Sequence, residues 1–216
     1  RPRDPRSAQL TLVGSRLAWN SVHASRDPTS VSWYEPRPRK SLELIEAAGL
    51  ARDAPIIDVG AGASLLVDEL LAAGYRDLTV LDVSGEALKK VAARLGARAS
   101  EVTLIEQDVT TFVAERRYAL WHDRAVFHFL TASDDRRKYL EAMRAALSPG
   151  AQIVIATFGP DGPSRCSGLE VVRYSAATLA HELGSDFVLV ETSTETHSTP
   201  AGSLQQFVYS RFRVAA

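Results

Sequence analysis

Apolar positions along this chain follow two rhythms. Between Pro55 and Phe158, short continuous apolar runs rich in β-branched residues occur at Ile56–Val59, Leu78–Asp82, Val102–Glu106, Tyr118–His122 and Gln152–Phe158. Such runs fit strands buried on both faces, and the amphipathic stretches between them fit helices. The alternation predicts βαβ units and a parallel sheet. Helices are expected at Leu65–Ala73, Gly85–Leu95 and Arg136–Leu147, with Ser64, Ser84 and Ser133 as N-caps and Gly74, Gly96 and Gly150 as terminators. Upstream, Leu42, Ile45 and Ala48 place a helix over Arg39–Ala48 that stops at Gly49. Downstream, a helix over Ala176–Leu183 precedes Phe187–Glu191 and Gln205–Phe212, read as an antiparallel pair. The expected fold class is α/β: a doubly wound, mostly parallel seven-stranded sheet with an antiparallel edge strand and helices on both faces. Phe158–Gly168, rich in Gly, Pro and Ser, reads as a loop.

Bulk properties narrow the partners. A chain of 216 residues with 45% apolar content builds one domain, here residues 31–216 after a partly flexible segment over 1–30; Arg1 to Arg6 are left out of the fold reading. No apolar run reaches the roughly 18 residues of a membrane span. The 25 basic residues balance 26 acidic ones, so no overall field draws nucleic acid or an anionic membrane. Cys166 is the sole cysteine, which excludes an intrachain disulfide and a Cys-based zinc site and fits a reducing cytoplasm. His23, His181 and His197 are scattered, and no metal is expected. Oligomeric state leaves no trace in the pattern.

The strongest local signal is Asp58-Val59-Gly60-Ala61-Gly62-Ala63-Ser64, between a predicted strand and a predicted helix. Gly60 and Gly62 let the backbone turn tightly against a ligand. Asp82 ends the next strand 24 residues further on, where a carboxylate can accept ribose hydroxyl protons, and Val83 follows it. After the third strand comes Gln107-Asp108-Val109, a carboxylate for an adenine amino group beside an aliphatic flank for its ring. A dinucleotide loop would carry a third glycine where Leu65 stands, and Asp58 would repel a pyrophosphate while attracting an ammonium. The pattern over Pro55–Phe158 resembles the class I S-adenosylmethionine-dependent methyltransferases, and the resemblance implies their Rossmann-like sheet over 31–216. It places Asp58, Gly60 and Gly62 in the first motif, with Ser64 where many members carry another glycine. It makes Asp82 the ribose acid and Asp108 with Val109 the adenine pair. The implied cofactor is S-adenosyl-L-methionine and the product S-adenosyl-L-homocysteine.

In doubly wound sheets the ligand crevice lies at the carboxyl ends of the strands, so the acceptor should meet the residues ending the fourth strand, Trp121-His122-Asp123-Arg124-Ala125-Val126-Phe127-His128-Phe129. His122, Asp123 and His128 are base candidates, and His122 also belongs to the cofactor set. Arg124 could hold an anionic acceptor or neutralise Asp123. The competing reading makes Asp123 and Arg124 a structural pair that orients the loop and packs His128 among Val126, Phe127 and Phe129. The Asp-Arg-Ala stretch with its following aromatic is similar to the corresponding segment of thiopurine- and thiol-type methyltransferases. Trp33 and Tyr34 are candidates for a lid over acceptor or sulfonium. The expected function is methyl transfer to a small-molecule nucleophile such as a thiol, amine or carboxylate. Alternatives are a protein lysine methyltransferase, an NAD(P)-dependent Rossmann reductase and a non-catalytic cofactor-binding protein.

Overall fold

The computed structural model describes residues 16–215. Residues 1–15, which include Arg1 to Arg6 and half of the segment expected to be partly flexible, lie outside the described residues; 16–30 are folded, as helix α1 over 16–25 and a 3-10 turn at Pro28–Ser30. Helix α2 (Arg39–Ala47) leads into β1 (Ile56–Val59), α3 (Leu66–Ala72), β2 (Leu78–Asp82), α4 (Gly85–Leu95), β3 (Val102–Glu106), β4 (Tyr118–Arg124), α5 (Ser133–Ala146) and β5 (Leu147–Phe158). A small hairpin, β6 (Arg165–Cys166) with β7 (Leu169–Glu170), lies inside the stretch read as loop and its continuation. Helix α6 (Ala176–Leu183) and the long pair β8 (Phe187–Ser198) and β9 (Leu204–Val214) complete the chain.

The seven-stranded sheet has the order β3-β2-β1-β4-β5-β9-β8. Strands β1 to β5 pair in parallel, and β9 runs antiparallel to both β5 and β8, one place in from the edge. The strand order reverses between β1 and β4, and that switch point opens a crevice at their carboxyl ends. The two-residue period of the strands sorts their side chains into two cores. Ile57, Val59, Trp121, Ile153 and Ile155 pack with Tyr139 and Met143 of α5 and Leu179 of α6. Ile56, Leu120, Val154 and Ala156 pack with Ile45 of α2, Leu70 of α3 and Leu88 of α4. Both faces are thus covered. Among the described residues no helix is long and apolar enough to cross a membrane.

Several predicted boundaries shift. Ser133 is the first residue of α5 rather than its cap, which is Ala132, and Leu65 occupies the cap position of α3, although Ser64 Oγ still accepts from the Leu66 N–H at 3.1 Å. Ser84 caps α4 by accepting from Ala87 N at 3.2 Å, as read. Gly150, taken as a helix stop, lies inside β5, which starts at Leu147 and pairs that residue with Tyr118 across an irregularity.

Candidate active site

Everything in the site is carried by strand tips and the segments after them. Beyond β1 the backbone turns through Gly60 (φ 60°) and Gly62 (φ 56°), left-handed values that side chains with a Cβ resist. The Gly60 N–H donates to Leu81 O at 2.7 Å, which ties this turn to β2. A Cβ on Gly60 would stand 2.0 Å from Val126 Cγ2, and one on Gly62 would stand 3.3 Å from His23 Cε1. Asp82 stitches the other side: its Oδ2 accepts from Gly62 N and its Oδ1 from Ser84 N, each at 2.7 Å. Burial raises its carboxyl to about 6 against the pull of those two N–H groups, and Asp58 and Glu106 add to the rise.

Asp58 and His122 sit side by side on paired strands β1 and β4. His122 Nδ1–H donates to Asp58 Oδ1 at 2.7 Å, and its Nε2 accepts from Ser41 Oγ–H of α2 at 2.8 Å. This assignment of the ring hydrogen follows from the partners: the carboxylate can only accept, which leaves the serine hydroxyl to donate. The imidazole is therefore clamped at both nitrogens, and no described residue bonds the second Asp58 oxygen.

Arg124, one position past the register of Asp123, reaches outward from β4. Its Nε donates to the Tyr209 hydroxyl of β9 at 2.9 Å and its Nη1 to Trp33 O at 3.0 Å. Nη2 lies 3.0 Å from Glu35 Oε1 without being aimed at it, so the two form an ion pair lacking a directed hydrogen bond. The segment after α1 is pinned a second time by His197 of β8, which donates from Nε2 to Ser32 O at 2.8 Å. Helix α1 closes the opposite wall: Asn20 Oδ1 accepts from Ser84 Oγ at 2.7 Å, and Trp19 meets Trp33 and Phe129 edge-on at 5.7 and 5.4 Å between ring centres. His23, neutral with its pKa pushed down to about 4 by burial and then by Lys90, packs on Gly62. These walls line a crevice open to solvent, with Asp58, Gly60, Ala61, Ala63, Ser64, Ser41, His122 and Arg124 on one side and Trp33, Tyr34, Glu35, His23 and Arg26 on the other.

Residues 56–150 match the family model described as a methyltransferase domain. Over residues 56–150 the chain is thus similar to methyltransferase domains. The backbone of the chain superposes with a TM-score of 0.72 on the N-methyltransferase NodS from Bradyrhizobium japonicum in complex with S-adenosylhomocysteine, at 18% identity over 94% of this chain and 99% of that one. It superposes with a TM-score of 0.70 on the 1,6-didemethyltoxoflavin-N1-methyltransferase of Burkholderia thailandensis, at 20% identity over 100% of this chain and 92% of that one. A mouse eEF1A lysine and N-terminal methyltransferase is 27% identical over 99 residues, which are 45% of this chain and 14% of that protein. The chain thus spans about a seventh of the length of that relative.

The fold brings Asp58, Gly60, Ser64, His122, Arg124, Trp33 and Tyr34 together around the crevice. Asp82 and Gly62 stand directly behind its glycine wall, joined to each other. Asp108 is half-buried; its Oδ1 accepts from Thr110 N and Thr110 Oγ1 at 2.8 and 2.7 Å, and no described residue bonds its second oxygen. Val83 is also half-buried, whereas Val109 turns into the core beside Leu81 and Trp121.

Two base candidates are not brought to the cavity. Asp123 is fully buried, its oxygens accepting from Val126 N, Phe127 N and Tyr139 Oη at 2.9, 3.0 and 2.6 Å, and burial raises it to about 6. Its work is to hold the turn at Ala125, whose φ of 70° is left-handed, and so to press Val126 against Gly60. Nor does Asp123 pair with Arg124, which takes Glu35 instead. His128 is fully buried between Phe129 and Phe158; its Nδ1 accepts from Phe158 N at 3.2 Å, and burial with Arg124 holds it near a pKa of 3. Its lone pair is used and it stays neutral, so the packing alternative describes it better than the base reading. Asp123→Ala strands two buried donors, Phe127 N and Tyr139 Oη, and the half-buried Val126 N, at roughly 1–3 kcal/mol for each buried one, partly offset by relieving a buried carboxylate. The expected loss is about 3 kcal/mol of stability in urea unfolding at pH 7, and an unchanged midpoint would contradict the turn-holding role.

Ser41, Glu35, His23 and Arg26 were not singled out for this site by sequence reasoning. Glu35 directly follows the Trp33-Tyr34 pair, which was a usable signal. Ser41 lies 81 residues from His122 and carries none.

Proposed function

We propose that this domain transfers the methyl group of S-adenosylmethionine to a nucleophilic atom of a small molecule. The observation that carries the reading is the row of carboxylates Asp58, Asp82 and Asp108 on successive strand tips around the glycine turn, each complementary to one portion of the cofactor. With the cofactor bound, the free Asp58 oxygen would accept from the methionine ammonium, the Asp82 carboxylate from the ribose hydroxyls, and the free Asp108 oxygen from the adenine amino group. Gly60, Ala61, Ala63 and Ser64 supply a wall with little side-chain bulk, backed by Gly62, and Val83 would flank the base. Bound there, the cofactor supplies an electrophilic methyl group on a sulfonium.

The remaining tasks fall to the chain. His122, fixed through Ser41, keeps Asp58 oriented toward the ammonium rather than serving as a mobile base. Trp33 and Tyr34 roof the acceptor side, and the contacts of Trp19, Trp33 and Phe129 exclude water from the path of transfer. Displacement at carbon depends on an in-line approach, so this positioning is the main catalytic contribution. A small acceptor suits a cavity closed from above by the segment 28–38, and the names of the two superposed structures, both N-methyltransferases, support the same class. The sole cysteine, buried and unpaired, fits a cytoplasmic setting.

The match to the mouse lysine methyltransferase favours a protein side chain as the second reading. Incubation of the protein with methyl-labelled S-adenosylmethionine and cell extract separates the two. Label in the small-molecule fraction is expected, and label confined to protein would overturn the acceptor class.

A further inference from the structure

We infer that the acceptor is an amine and that Glu35 Oε2 receives the proton its ammonium must lose before methylation. This rests on the proposed methyl transfer and narrows its substrate class. Glu35 lines the cavity opposite the glycine wall. Its Oε1 faces Arg124 Nη2 at 3.0 Å, and no described residue bonds Oε2. Around it stand Arg124 and His122 on β4, Tyr209 on β9, and Glu195 and His197 on β8, while Lys40 of α2 acts on Glu195. His197 donates through Nε2 and turns its lone pair toward Glu35 Oε1, 3.9 Å away; burial lowers its pKa, so it brings no charge. Lys40 is held at the exposed rim by Glu43. Glu195 Oε2 is buried without a partner. Two carboxylates therefore share the buried guanidinium of Arg124, and the further cation that acts on Glu195, Lys40, is bonded to Glu43 at the rim, which leaves the buried pair short of positive charge.

A buried surplus charge is expensive unless an opposite charge joins it. An ammonium supplies that charge, whereas a thiolate or carboxylate acceptor would add a second negative one. Burial raises the Glu35 carboxyl, with Glu195 adding to the rise, and this makes it a better proton acceptor near neutral pH. The step balances: the ammonium N–H bond breaks and its proton goes to Glu35 Oε2. The freed nitrogen pair forms the N–C bond, and the pair of the breaking C–S bond stays on sulfur, turning sulfonium into thioether. Glu35 then returns its proton to water. Trp33 and Tyr34 give the cation aromatic faces.

The test uses the full chain and its Glu35→Gln and Glu35→Asp variants with S-adenosylmethionine and a panel of alkylamines, aralkylamines, aromatic amines, thiols and carboxylates, over pH 6.5 to 10. Methylated alkyl or aralkyl amines are expected. At pH 7 Glu35→Gln should lose about a hundredfold in kcat/KM, the scale of a removed general base. That defect should shrink as pH nears about 10.4, where such amines deprotonate unaided. Glu35→Asp should restore part of the rate. A merely structural role gives a uniform defect at every pH, and that result overturns the inference, as does turnover of thiols or carboxylates alone, or of nothing in the panel. Calorimetric titration with S-adenosylhomocysteine keeps the two proposals apart: binding without amine turnover defeats only the acceptor assignment, while absence of binding in wild type defeats methyl transfer itself.

Discussion

Gly60→Ala is expected to lower affinity for S-adenosylhomocysteine by about a hundredfold. Alanine at a left-handed φ costs about 1–2 kcal/mol, and forcing its Cβ against Val126 adds roughly 1–3 kcal/mol. The turn escapes that strain only by moving, so some 3 kcal/mol appears as lost binding, at about 1.4 kcal/mol per tenfold. Gly49→Ala is the control. Gly49 has a φ of 66°, almost the same as Gly60, but a Cβ there meets nothing within 4 Å. It should lose stability slightly and keep full affinity. Calorimetric titration and thermal unfolding of both variants separate the effects, and equal affinities would show that the Gly60 turn does not touch the ligand.

Asp82→Ala should weaken S-adenosylhomocysteine binding by about a hundredfold too, since hydrogen bonds to a charged group are each worth roughly 1.5–3 kcal/mol. The wild type carries a pH signature of the same residue. With Asp82 raised to about 6, the protonated form dominates below that pH and is a poorer acceptor for ribose hydroxyls. Affinity should hold steady above pH 6 and fall by up to tenfold per unit below it; Asp82→Ala should lack this limb. Stability of the ligand-free protein runs the other way. Because the folded carboxyl titrates above its unfolded value of 3.8, its favourable contribution is complete below that value and is lost as pH rises through about 6. A flat wild-type affinity from pH 5 to 8 would remove Asp82 from the ribose site.

Strands β1, β2 and β3 match their predicted bounds residue for residue; β1 and β2 are buried on both faces, and the partly exposed edge strand β3 keeps a β-branched and apolar run, Val102 to Ile105. The outer pair was underread for the opposite reason. In β8, Thr192, Thr194 and Thr196 face solvent along the sheet edge, and the polar alternation looks like a connection until β9 is seen beside it. Gly150 misled because a glycine with positive φ stops a helix or bends a strand equally well. At the site, the glycine turn and its carboxylates were legible because they are local and tied to strand ends. Asp123 was not: an acid at a strand tip reads the same whether it faces a ligand or holds its own turn. Only its full burial and the bonds from Val126, Phe127 and Tyr139 decide. Ser41 depends on helix α2 lying across the sheet, a tertiary fact that no spacing encodes, whereas Glu35 was signalled by its neighbours Trp33 and Tyr34.

A crystal structure with S-adenosylhomocysteine bears most directly on the claim that neighbouring strand tips share one nucleoside. The ammonium is expected at Asp58, both ribose hydroxyls at Asp82 and the adenine amino group at Asp108, with the sulfur facing the cavity beneath Trp33 and Tyr34. Electron density for the nucleoside anywhere else, or a glycine turn that stays closed against Val126 and His23 at saturating ligand, would contradict it.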